Sequence, residues 1–106
     1  MTPEKRIQNK VCKYLKQLED TGHPLFWERR QAGGFAYKAG LPDIYFVYNG
    51  IHCEIEIKSI TGSTSSVQDT WANKFKKLNI NYICVNNIQD FILFVEKNCL
   101  KESQKM

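Results

Sequence analysis

The chain has 106 residues, 42% of them apolar and 25% charged, and carries a formal net charge of +4. That length suits one domain, residues 1–106, with a single modest core. No run reaches the roughly eighteen apolar residues of a membrane-spanning helix and no signal peptide opens the chain, so a soluble cytoplasmic protein is expected. The charge is one-sided: residues 1–40 hold eight basic and four acidic side chains, residues 41–106 seven of each. A basic excess on one part of a chain suits a polyanion such as nucleic acid, although many metabolic enzymes carry as much.

Pro3 to about Glu19 reads as the first helix, with Thr2 as N-cap, Pro3 at N1, and Gly22 and Pro24 ending it. Ile7, Val11, Tyr14, Leu15 and Leu18 form its apolar stripe, while Lys5, Arg6, Lys10, Lys13 and Lys16 fall on the other side. Glu4 lies in line with the stripe. It serves either as a first-turn acid favourable to the helix dipole or as an inward-facing acid of a functional site. Leu25 to Arg30, LFWERR, reads as a short aromatic-rich strand. Gln31 to Gly40 is a glycine-rich loop displaying Phe35, Tyr37 and Lys38. Those side chains suit contact with a nucleic-acid groove or an unstacked base, or else fold back onto the core.

Leu41 to Lys58 reads as a β-hairpin turned by Asn49-Gly50, two residues that tolerate positive φ. A two-residue turn pairs Tyr48 with Ile51, Phe46 with Cys53, Ile44 with Ile55 and Asp43 with Glu56. Alternation then gives one apolar face of Ile44, Phe46, Tyr48, Ile51, Cys53, Ile55 and Ile57. The other face holds Asp43, Tyr45, His52, Glu54, Glu56 and Lys58. Like charges directly opposite one another destabilise an antiparallel pair. Asp43 facing Glu56 is thus a poor choice for stability alone. A divalent cation between the carboxylates reverses the sign, since Mg²⁺ and Mn²⁺ take hard oxygen ligands. The plain alternative is a solvated hairpin face.

After a polar loop, Ser65-Ser66-Val67-Gln68 has capping-box form and opens a helix to about Leu78. Val67, Trp71, Phe75 and Leu78 are its expected buried stripe, with Gln68 at the edge. Asn81 to Val85 reads as a central or near-central strand, and Asn87 caps a last helix with Ile88, Phe91, Ile92, Val95 and Cys99 inward. The four cysteines, Cys12, Cys53, Cys84 and Cys99, lack zinc-ligand spacing and are expected as buried free thiols. The order is αβββαβα, an α/β domain with a mixed sheet covered by helices.

Pro42-Asp43 followed by Glu56-Ile57-Lys58 resembles the PD-(D/E)XK nuclease signature, and the element order is similar to that superfamily's core. Gly40-Leu41-Pro42-Asp43 together with Ser65, Gln68 and Trp71 narrows the resemblance to the VRR-NUC family, over nearly the whole chain. The helix start departs from the commoner Ser-Pro-Ala-Gln, and the segment before Gly40 is unusually rich in glycine and aromatics. The resemblance implies a DNA endonuclease dependent on Mg²⁺ or Mn²⁺. Asp43, Glu56 and the Ile57 main-chain carbonyl would ligate the metal, and Lys58 would act on water or the phosphate. Gln68 would support the site, and Glu4 would assist, possible metal contact included. It also implies a homodimer directed at four-way or branched DNA, in a bacterium or a phage-infected host cell. Arg29, Arg30, Tyr37 and Lys38 are the candidate DNA contacts. The rival readings are a nickase or restriction-like nuclease, a non-cleaving DNA-binding module on the same fold, and a basic interaction domain with a chance motif.

Overall fold

A computed structural model describes residues 1–30, 40–59 and 66–100. Their elements are α1 (Pro3–Asp20), β1 (Leu25–Arg29), β2 (Ile44–Tyr48), β3 (Ile51–Ile57), α2 (Ser66–Lys77), β4 (Asn81–Val85) and α3 (Ile88–Val95), which runs on into a π-helical turn at Glu96–Leu100. This is the expected order. Thr2 caps α1 by accepting from the Lys5 N–H at 3.1 Å. Asn87 caps α3 by accepting from the Asp90 N–H at 2.9 Å. Both caps satisfy donors that a helix start leaves open. The hairpin turns on Asn49 and Gly50, at φ 47° and 88°, with the expected pairs Tyr48–Ile51, Phe46–Cys53 and Ile44–Ile55. The positive-φ turn matches strand twist.

The sheet order is β1-β2-β3-β4, antiparallel except for the parallel β3–β4 pair. The apolar hairpin face packs on Val11, Leu15 and Leu18 of α1 and on Phe91, Val95 and Cys99 beyond β4. α2 serves the opposite face, where Phe75 stacks on Tyr82 with centroids 6.2 Å apart. β3 is buried on both faces from Cys53 to Ile57, Glu54 and Glu56 included. No helix of the described residues is long and apolar enough to cross a membrane.

Four expectations need correction. β4 lies at the end of the sheet order rather than at its centre, because it adds parallel to β3 after the α2 crossover. In α2 only Phe75 of the expected stripe is buried. Trp71 is half-buried, and Val67 and Leu78 are 46% and 58% exposed. A helix laid over a sheet margin needs a narrower apolar stripe than one laid over its middle. Cys53 and Cys99 are buried as expected, but Cys12 is half-buried and Cys84 is exposed. Asp43 precedes β2 and does not pair with Glu56, the ladder ending at Ile44–Ile55. Ser65, the proposed capping residue of α2, lies outside the described residues.

Candidate active site

The polar residues of the hairpin gather where β2 begins and β3 ends, beside the first turn of α1. Asp43 is positioned by its own side chain, Oδ2 accepting from the Ile57 N–H at 3.0 Å. Glu56, on β3, is 2% exposed. Its Oε2 accepts from Gln68 Nε2 at 3.0 Å and lies 3.8 Å from Lys58 Nζ. Its Oε1 is buried and has no hydrogen-bond partner among the described residues. A buried acceptor without a partner costs about 1–3 kcal/mol, more when charged. Burial first and the Asp43 charge second push the Glu56 carboxyl up to about 8, against a smaller lowering by Lys58.

Lys58 follows β3, its main-chain N–H donating to Val85 O at 3.0 Å, so the edge strand fixes its backbone. Gln68 comes from the first turn of α2, and its side chain reaches Glu56 on β3. Glu4 comes from the first turn of α1, where its Oε1 accepts from the Ser59 N–H at 3.4 Å. Asp43 and Ile57 line a cleft of about 190 Å³ with Thr2, Glu4, Lys5 and Gln8 of the α1 start. Pockets that engulf drug-sized ligands run to about 300–1,000 Å³. This one has room for a hydrated ion and part of a phosphate, and a polymeric substrate would lie across its mouth.

The structure thus brings Glu56, Lys58 and Gln68 together around the Glu56 carboxyl, beside Asp43, which with Ile57 and Glu4 lines the cleft. Among the described residues no group of three His, Cys, Asp or Glu side chains converges as a metal cage. The donor set still fits one class of ion. Mg²⁺ is commonly bound through one or two carboxylates, with waters and substrate phosphate completing the shell. The unpartnered Glu56 oxygen beside Asp43 supplies that chemistry.

The candidate DNA contacts fare differently. Arg29 is turned onto α1, donating to Asn9 Oδ1 at 3.3 Å and to Gln8 Oε1. Arg30 grips Glu54 through two bonds of 2.6 and 3.1 Å, and its guanidinium lies 4.7 Å from the Tyr45 ring centre. Tyr37 and Lys38 lie outside the described residues. Sequence reasoning missed two features. Lys5, expected on the far side of α1 from the stripe, lines the cleft, and Gln8 joins it one turn beyond Glu4. The partner of Glu54 was missed as well, although a carboxylate on a strand covered on both faces requires a cation.

No family model matches the chain, and no curated protein matches it. A solved structure titled "VRR_NUC domain" superposes with a TM-score of 0.73, covering 92% of this chain and 99% of that one at 18% identity. The chain therefore has the fold of a VRR-NUC domain, with the mixed sheet and flanking helices of a PD-(D/E)XK-like core.

Proposed function

We propose that this protein is a divalent-metal-dependent DNA endonuclease that hydrolyses phosphodiester bonds, directed at four-way or branched DNA and acting as a homodimer. The observation that carries the nuclease reading is the state of Glu56: buried, with one oxygen unpartnered, raised to about 8, and set beside Asp43 and Lys58. A site built for stability alone would not bury an unpaired carboxylate oxygen next to a second acid. The preference for branched DNA and the dimeric state rest on the resemblance to stand-alone VRR-NUC proteins.

In this reading Asp43, Glu56 and the Ile57 carbonyl would hold Mg²⁺ or Mn²⁺, which when bound would make water a better nucleophile and offset charge at the scissile phosphate. Gln68 holds Glu56 Oε2 at 3.0 Å, which leaves Oε1, without a hydrogen-bond partner among the described residues, free to serve as a ligand. Lys58, 17% exposed at its side chain, keeps a positive group at the position where negative charge grows on the phosphate. Glu4, at the cleft, orients water. The water oxygen forms the new bond to phosphorus as one ester P–O bond breaks; the water gives up a proton to solvent and the leaving oxygen takes one from solvent, so the protons balance.

The test is cleavage of labelled four-way junction, nicked, single-stranded and linear duplex DNA, with Mg²⁺, Mn²⁺ or EDTA, by wild type and Lys58→Ala. Metal-dependent cutting of the junction is expected, falling by several orders of magnitude in the variant with folding unchanged. Binding of branched DNA without cutting in either metal would replace the nuclease reading with that of a DNA-binding module. Equal cutting of all four DNAs would remove the branch preference and leave a nickase or restriction-like nuclease.

A further inference from the structure

We propose that Arg30 and Glu54 are a positioning pair that sets the Asp43 carboxylate. The consequence for metal binding and catalysis rests on the nuclease reading above. Asp43 stands just before β2, where the β1–β2 ladder ends at Arg29–Ile44, and its side chain reaches the Ile57 N–H. Arg30 adds two holds on the backbone there. Its main-chain N–H donates to Asp43 O at 2.8 Å, and its Nη1 donates to the preceding carbonyl, Pro42 O, at 2.9 Å. The first bond extends the β1–β2 register and is independent of the side chain; the second, to the carbonyl next to the acid, belongs to the guanidinium.

Glu54 holds Arg30 in turn. Both carboxylate oxygens accept from the guanidinium, at 2.6 and 3.1 Å, and His52 Nε2 lies 2.7 Å from Oε2. The Tyr45 ring supports the guanidinium plane at 4.7 Å. Glu54 lies two residues before Glu56 on β3, on the same sheet face, and is 1% exposed. Pro42-Asp43 is thereby tied to the strand that carries the second acid. A buried ion pair is weak evidence of a stabilising role, because well-packed apolar residues of similar volume commonly serve as well or better. The further bond from the same guanidinium to Pro42 O at 2.9 Å points to placement of Asp43. Arginine suits the task because its planar fork reaches Pro42 O and both Glu54 oxygens at once, which a lysine ammonium cannot do in that geometry.

The test compares wild type with Arg30→Lys and with the paired change Arg30→Met plus Glu54→Leu, which leaves no unpaired buried charge. Three quantities are read: hydrogen exchange at the Ile57 amide, the Mn²⁺ concentration needed to raise the unfolding temperature, and kcat and KM on junction DNA. Both variants are expected to fold and to exchange the Ile57 amide faster, because its acceptor is displaced. The Mn²⁺ requirement is expected to rise and kcat to fall by about 10- to 100-fold, as for residues that orient metal ligands, with KM little changed. Wild-type exchange and Mn²⁺ response in the folded variants would overturn the inference. So would failure of both variants to fold, which would make the pair a support of the fold alone. If the wild type neither responds to Mn²⁺ nor cuts DNA, the nuclease reading fails, while the Ile57 amide still decides whether the pair positions Asp43.

Discussion

Glu56 is ionised only at a cost in this fold, because burial and the Asp43 charge both favour its protonated form. The folded chain therefore binds a proton more tightly than the unfolded chain, whose carboxyl keeps its ordinary value near 4.5. Stability without metal should be greatest below that value and fall as pH rises toward about 8, since the folded state binds more protons through this window. Glu56→Gln removes the titration while keeping an acceptor for Gln68 and adding a donor beside Asp43. In EDTA the variant should be more stable than wild type at pH 8, by the order of a few kcal/mol at about 1.4 kcal/mol per pKa unit. The advantage should disappear near pH 4.5, the ordinary carboxyl value. Chemical denaturation at the two pH values measures it. An advantage of equal size at both would mean that packing rather than charge governs this position. Mn²⁺ should raise the unfolding temperature of the wild type at pH 8 and not that of the variant.

At the level of elements, the segment before Asp43 is locked against α2 through Gly40. Gly40 has φ +84°, and a Cβ there would stand 2.2 Å from Val67 Cγ1 and 3.1 Å from Trp71 Cδ1. Gly40→Ala combines left-handed backbone strain with that clash and should destabilise by roughly 1–3 kcal/mol. It should also lower cleavage beyond the loss of folded protein, since α2 carries Gln68. A denaturant midpoint equal to wild type would refute the close approach. The same region divides what was legible in the sequence from what was not. The hairpin was legible because Asn49-Gly50 specifies its turn and the turn specifies register. That register located Glu56 and Lys58 on one face, and position in the α1 stripe located Glu4. The burial of Glu54 was not legible, because alternation describes one strand and does not reveal which strands are covered on both sides. The position of β4 was hidden for a similar reason: NYICV suits a central strand and an edge strand alike. The stripe of α2 overstated burial at Val67 and Leu78 because a 3.6-residue period states which side faces inward and not how much sheet lies beneath it.

For the whole molecule, 18% identity with a superposition covering 92% of the chain shows one fold kept by two largely different sets of side chains. Apolar volume and patterning suffice to keep such a core. The proposed dimer is a claim on the same scale. Asp43, Glu56 and Lys58 form one site per chain among the described residues, whereas resolving a four-way junction requires two strands to be cut. Two copies related by symmetry would present two sites to a symmetric substrate. Co-purified dimers with one wild-type and one Lys58→Ala subunit should then nick a plasmid-borne cruciform and stop, while wild-type dimers linearise it. Folding and DNA affinity should be alike in the two preparations, because Lys58 is one cation among many that would face the phosphates and loss of one phosphate contact changes the salt slope by only about one. If mixed preparations linearise the cruciform at a rate merely scaled to their wild-type content, the chains cut independently. The homodimer would then have no part in the reaction, even if one forms in solution.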